Sequence, residues 1–318
     1  MPELAAVRRG GFTESRHVGT VVVLGRDGED LLVLGDGGTA ILPRSTVKPV
    51  QALACLTAGA PLAGEELAIA AGSHTGEDRH VAVVRRLLER AGLSEEHLGC
   101  PVDWPEHEAT RERLLAAGAG RTRVRMNCSG KHAAMLLACV TNGWSVEGYL
   151  DADHPLQRHV ARTLEELSGE PLAHVTVDGC GAPLFGLSVR GLARAFHRLA
   201  TSPAGSPEAQ VAEAMRTHPF FVGGEPHSNS DAMRLVPGLL AKGGAEGVIG
   251  MAAPTGEAVA LKVDDGNPRA TTLVALHALE SVGVDVSGAA ELRDLPVLGG
   301  GERVGEIVVG ADLQRATR

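Results

Sequence analysis

An α/β (α+β) fold, with a mainly antiparallel sheet flanked by terminal helices and an inserted helical lobe, is what this sequence predicts, and three observations carry it. Valine-rich, hairpin-like segments open the chain and return near its end. Between them, from about Lys48 to Leu240, apolar residues recur at helical spacing. Nowhere do about 18 apolar residues follow one another, so no membrane span competes with this reading.

Each element has its own signal. His17 to Leu24 is rich in valine, meets Gly25-Arg26-Asp27-Gly28 and continues in the apolar Leu31 to Leu34, which reads as a β-hairpin with an Asp-Gly turn. Helical periodicity follows in Val50 to Leu56, Val81 to Leu88, Ala133 to Val140, Leu156 to Leu167 and Leu187 to Leu199. Pro155 marks a helix start and Gly169 its stop, Asn142-Gly143 closes another, and Ser206-Pro207 is an N-cap with proline at the first helical position. Strand signals return in Gly247 to Ala253 and Ala258 to Val263 around a Pro254-Thr255-Gly256 turn, followed by a helix from Pro268 to about Val282 and a closing strand, Val304 to Val309. Gly299-Gly300-Gly301 lacks the strand-glycine-helix context of a phosphate cradle and reads as a loop. The whole, 1–318, reads as one catalytic unit, with a sheet lobe of 11–44 plus 241–318, a helical lobe of 45–240, and the cleft between them as the expected place for chemistry.

Composition narrows the function classes. Hydrophobic residues at 44% and charged residues at 22% suit a globular enzyme rather than a disordered or fibrous chain. The net charge is −9 and the arginines are scattered, so no footprint for nucleic acid is present. Arg8 and Arg9 have no apolar stretch behind them, so neither a signal peptide nor a membrane span is expected, and a cytoplasmic location is. Cys55, Cys100, Cys128, Cys139 and Cys180 lack the dense spacing of a disulfide scaffold, which points to a reducing compartment. Of 30 basic residues only Lys48, Lys131, Lys242 and Lys262 are lysines. Arginine keeps its proton in a protein, whereas a desolvated lysine can become a neutral base or ligand, so each lysine invites a question.

Arg44-Ser45-Thr46-Val47-Lys48-Pro49 holds Ser-x-x-Lys where the first strands give way to the first helix. The i, i+3 spacing puts Ser45 and Lys48 on one face of a turn, and a lysine kept neutral by burial can take the proton that makes a serine nucleophilic. An ordinary helix start is the alternative. Ala241-Lys242-Gly243-Gly244 stands before the returning strands, where Ser-x-x-Lys enzymes of the penicillin-binding type place a lysine-glycine element; by itself it equally suits a solvated loop lysine. Lys262 reads as a solvated strand-end lysine. Cys128-Ser129-Gly130-Lys131-His132 opens a helix, and Asp178-Gly179-Cys180-Gly181 follows a short strand, Val175 to Val177; the thiolates could meet as zinc ligands or remain buried thiols. In Ser73-His74-Thr75-Gly76-Glu77, Thr75 with Asp78 resembles a capping box, which leaves Ser73 and His74 available. His227-Ser228-Asn229-Ser230-Asp231 reads as the cap of the next helix.

Together, the motifs at Arg44 to Gln51, Ser73 to Glu77, Asn127 to His132, Asp178 to Pro183 and Lys242 to Val248 resemble the asparaginase II family, the Rhizobium-type L-asparaginases, in order and over nearly the whole chain. The resemblance implies a fold similar to serine β-lactamases and glutaminases and a homodimer hydrolysing L-asparagine to L-aspartate and ammonia. It implies catalytic pairs Ser45 with Lys48 and Ser73 with Lys242, a zinc site of Cys128, Lys131 and Cys180, and substrate contacts from Arg44, His74, His132 and Asp178. Two positions depart from the family pattern: Gly72, where a larger small residue is expected, and Gly223 to Asp231, which lacks an Arg-x-Asp-Thr element. A penicillin-binding or β-lactamase-like hydrolase and a non-catalytic zinc protein are the competing readings.

Overall fold

The computed structural model describes residues 1–318, in two compact units. The first comprises Met1–Thr46, Gly186–Thr201 and Asp231–Arg318, the second Val47–Phe185 and Ser202–Ser230. The eleven strands are β1 (Glu3–Arg9), β2 (Phe12–Leu24), β3 (Asp30–Leu34), β4 (Ala40–Ile41), β5 (His174–Val177), β6 (Pro183–Ser188), β7 (Leu240–Gly244), β8 (Val248–Ala252), β9 (Ala258–Val263), β10 (Leu295–Gly299) and β11 (Glu302–Val309).

The first unit is built on an antiparallel sheet in the order β10-β11-β1-β2-β9-β8-β7, with β3 also paired to β2. Along β2, burial alternates over Phe12–Arg16 and is then nearly continuous to Leu24. The reason is what covers the sheet: β8 and β9 each contact the helices Val189–Thr201 and Thr271–Ser281, and every residue of β8 is buried. A strand covered on both faces loses its polar alternation. Gly250 in β8 lets the ring of Phe196 lie against the strand, since a Cβ there would stand 2.4 Å from it.

Both predicted hairpins form, β2 with β3 and β8 with β9. Two differences are local. The helix expected from Leu187 starts at Val189, because Leu187 and Ser188 pair with Ile41 and Ala40 as the end of β6. That helix belongs to the sheet unit, as does 231–240, whereas the sequence predicts both in the helical lobe. The glycine loop is the turn of a further hairpin: Gly300 and Gly301 have φ of 61° and 90°, and β10 pairs with β11 on either side.

The second unit is helical around Ser129–Thr141, whose residues Ser129 to Cys139 are all buried. A helix apolar all round needs neighbours on all sides, and it has them in Lys48–Thr57, Gly64–Ala70, Asp78–Arg90 and Pro155–Ser168. Gly130 permits the closest approach: a Cβ there would lie 2.7 Å from the Ile69 carbonyl oxygen. The predicted caps hold, with Gly169 left-handed at φ 70° at a helix stop and Ser206 Oγ accepting from Ala209 N at a helix start. No helix is long and apolar enough to cross a membrane.

Candidate active site

Two serine-bearing turns come first. In the sheet unit, Ser45 sits in the short 3-10 turn Arg44–Val47, which runs directly into the helix Lys48–Thr57. Arg44 has φ 53° without being glycine, a conformation that costs of the order of 1–2 kcal/mol. Its guanidinium lies 3.9 Å from the Glu246 carboxylate, and Glu246 is the other left-handed non-glycine residue, at φ 61°. Gly244 accommodates the turn: a Cβ there would meet Thr46 Oγ1 at 2.6 Å and Pro43 O at 2.9 Å. Gly244, the second glycine after Lys242, thus serves the approach of this turn. Lys242 itself is no solvated loop residue. It lies in β7, opposite Gly250 of β8, and is wholly buried. Lys262, in β9, is half-buried, and its ammonium donates to the Val263 carbonyl.

In the helical unit, Ser73 lies in an extended segment clamped by backbone on both sides. Ser73 N donates to Val222 O at 2.8 Å, Thr75 N to Gly223 O at 2.6 Å and His74 N to Asn127 O at 3.1 Å. Gly72 is required by this clamp, since a Cβ would stand 2.6 Å from Phe221 O. The other departure has a structural role too: Ser230 Oγ donates to Pro219 O at 2.7 Å, and His227 Nδ1 caps the helix Ser228–Leu235 through Asn229 N at 3.3 Å.

Lys48 is wholly buried, and its Nζ donates to Ser73 Oγ at 2.8 Å and to Gly72 O at 2.7 Å. An amine under a half-buried hydroxyl is placed to exchange a proton with it. The capping box lies two residues beyond the expected one. Glu77 is the N-cap, with His80 as its partner, while Thr75 Oγ1 donates to Glu77 Oε1 at 2.9 Å.

Beside Lys48 is a buried thiol cluster. Lys131 Nζ donates to Cys180 Sγ at 3.0 Å, and the Cys128 thiol reaches Asn127 Oδ1 at 3.1 Å. Cys128 is held well below the ordinary thiol range, first by a hydrogen bond from Cys180 and then by Lys48 and Lys131, against burial. Cys180 is raised, first by giving that hydrogen bond and then by burial. Burial works against the charge on Lys131, but Cys180 and Cys128 outweigh it and raise its pKa. Asp178 shapes the turn that presents Cys180: Gly181 N donates to Asp178 O at 2.8 Å and Gly179 N to Oδ1 at 2.9 Å.

His74 and His132 are both fully buried. Gly76 N donates to His74 Nδ1 at 3.2 Å, so the ring proton is on Nε2 and goes to Ser129 Oγ at 2.9 Å. Burial, His80 and Lys48 push His74 well below the ordinary imidazole range. His132 Nδ1 meets the Tyr149 hydroxyl at 2.6 Å, and that oxygen accepts from Gly99 N at 2.8 Å, so the phenol proton points to Nδ1. Nε2 then carries the imidazole hydrogen and faces Cys180 without reaching hydrogen-bond geometry. Tyr149 and His80 escaped the sequence reading. The first had one available signal, as the sole tyrosine of the chain; the second lay in a capping box with histidine where glutamate is usual.

The thiol cluster can be tested against zinc by its donors. Two sulfurs and an amine come together where zinc takes sulfur and nitrogen. No three His, Cys, Asp or Glu side chains are grouped to hold a metal, so the set reaches three ligands only through Lys131, which must release its proton on binding. On those terms the donors fit.

A family model described as L-asparaginase II matches residues 5–309. No curated protein matches the chain in sequence. Among solved structures, a β-lactamase from Mycobacterium bovis is 15% identical, with 86% of this chain and 95% of that chain covered and a TM-score of 0.45. A β-lactamase from Desulfarculus baarsii is 17% identical, with 81% and 88% covered and a TM-score of 0.34. The family match, over nearly the whole chain, carries the assignment and supports a hydrolase.

Proposed function

We propose that this chain, which belongs to the L-asparaginase II family, is an amidohydrolase that converts L-asparagine to L-aspartate and ammonia through an acyl-enzyme. The observation that carries the reading is the buried Lys48 amine on the Ser73 hydroxyl, at 2.8 Å. Ser45 stands three residues before Lys48 along a continuous helical turn. In this mechanism Lys48 takes the Ser45 proton, Ser45 Oγ attacks the side-chain amide carbon, and the C–N bond breaks as the proton passes through Ser73 and Lys242 to the departing ammonia. Water then cleaves the ester and restores Ser45. Arg44 and Asp178 are assigned to the substrate's charged groups, and His74 and His132, from their burial, to support beneath them.

Zinc belongs to the same reading, held by Cys128, Cys180 and Lys131, and when bound it supplies a fixed positive charge that orders the substrate pocket. A homodimer in a reducing cytoplasm completes it; sedimentation of the purified protein reads the dimer.

The test is ammonia release from L-asparagine and L-glutamine by the wild type and by Ser45→Ala. Loss of about 1,000-fold or more in the variant, with the fold intact, supports Ser45 as nucleophile. The Lys48–Ser73 contact favours one second reading, in which Ser73 attacks and Ser45 relays. Trapping the acyl-enzyme and locating the modified serine separates the two. Nitrocefin turnover without amide turnover would move the assignment to a β-lactamase-like enzyme, and metal binding without either to a zinc protein. Zinc removal should raise KM; an unchanged KM counts against the metal's part.

A further inference from the structure

Arg79, Phe220, His80 and His74 form a stack that starts at an exposed arginine and ends at the neighbour of Ser73. The Arg79 guanidinium lies 4.2 Å from the Phe220 ring centre. Phe220 and His80 are 4.4 Å apart and 7° from parallel, and His80 and His74 are 5.0 Å apart at 18°. We propose that His80 is a positioning residue for Ser73, fixing it from two directions at once: through the ring of His74, and through the backbone that clamps Ser73 in place. The proposal rests on Ser73 having a part in the reaction.

Both nitrogens of His80 are used in a way that filling space does not require. Glu77 N donates to Nδ1 at 3.2 Å, so the ring proton is on Nε2, which donates to Phe220 O at 2.9 Å. That bond ties the first turn of the helix Asp78–Arg90 to the short helix Pro219–Val222. The carbonyls that follow, Val222 O and Gly223 O, accept from Ser73 N and Thr75 N. Breaking the His80–Phe220 bond therefore frees the strip of backbone against which Ser73 is set. The face-to-face contact with His74 adds a lateral stop, and His74 cannot turn away, because Gly76 and Ser129 hold its two nitrogens. Burial keeps both imidazoles below their usual pKa, which lets two rings stack without mutual repulsion.

Two variants of the full chain test this. His80→Phe keeps a flat ring in the stack and removes both hydrogen bonds, whereas His80→Gln offers an amide N–H near the position of Nε2. In His80→Phe, kcat for ammonia release should fall about 10- to 100-fold with KM changed less than about twofold, the mark of a reacting group displaced. Amide exchange at Ser73 and Thr75 should quicken by about tenfold while Ala133 to Cys139 stays protected. His80→Gln should recover most of both losses. A folded His80→Phe with wild-type kcat and wild-type exchange at Ser73 overturns the proposal, and so does a variant that loses thermal stability alone. Where the wild type releases ammonia from no amide, the functional reading has failed, and exchange at Ser73 and Thr75 still decides the positioning role.

Discussion

The two serine-bearing segments are held by different means. Ser73 lies in a segment fixed by directional bonds, with amides of three consecutive residues paired to backbone carbonyls and a capped helix following directly. Ser45 lies in a turn that bonds mainly to itself, Thr46 N donating to Pro43 O at 3.2 Å, and that adds strain and contact, with a left-handed arginine before it and a strand glycine pressed against it. A bonded segment resists displacement until a partner is removed. A strained one is kept in place only while its surroundings leave it no alternative. The difference is open to experiment at both turns.

The largest effect is expected where backbone meets backbone. A methyl at Gly72 would lie 2.6 Å from Phe221 O and 3.0 Å from Val222 O, and neither can rotate away. Gly72→Ala should therefore destabilise the protein by about 3 kcal/mol, within the range of overpacking, with a clear fall in the urea midpoint. A midpoint within error of the wild type would mean that the clamp is loose. At the other turn, a methyl at Gly244 first meets Thr46 Oγ1, at 2.6 Å, a side chain that can turn aside, and then Pro43 O at 2.9 Å. Gly244→Ala should cost less, about 1–2 kcal/mol, and should impair turnover more than its stability loss accounts for, because what shifts is the turn carrying Ser45.

Much of this is legible in the sequence, and what is not has a physical pattern. Periodicity and caps placed the helices because those signals are local: Gly169, Ser206 and Pro155 act on their own helices. Lys242 was less readable. A lysine before two glycines looks like a turn, and only the pairing of β7 with β8 makes it a buried strand residue. Gly72 looks like a departure from a pattern, whereas the structure requires a glycine there because Phe221 and Val222 approach so closely. No single-sequence signal carries an approach between residues about 150 positions apart, since it arises from long-range packing. His80 was hidden for the same reason, its second partner, Phe220, being distant in sequence.

The bonded segment should also respond to pH. His74 and His80 have folded-state pKa values below the unfolded one, chiefly through burial. The unfolded chain therefore binds protons first as pH falls. The stability these rings contribute is fully present above about pH 6.5 and declines below it, by at most about 1.4 kcal/mol per pH unit for each group. Urea midpoints at pH 7.5 and 5.5 should show the fall, and His80→Phe should show a shallower one. An equal slope in the variant would place the dependence elsewhere.

The smallest effect on stability, and the sharpest separation of roles, is expected at Arg44. Glycine adopts φ 53° freely, so Arg44→Gly removes a strain of about 1–2 kcal/mol. It also adds freedom to the unfolded chain, about 0.5–1 kcal/mol, and discards an ion pair to Glu246, whose side chain is 62% exposed, worth about 0–1 kcal/mol. These contributions nearly cancel, so the melting temperature should stay within a few degrees of the wild type. Turnover should not be spared in the same way. A guanidinium assigned to the substrate's carboxylate is lost, so KM for L-asparagine should rise by about tenfold or more, the cost of a charge-assisted hydrogen bond. A variant stable and unchanged in KM would leave the arginine with only a structural place before Ser45. A stable variant with a raised KM would show that the strain at Arg44 is retained for the side chain it presents.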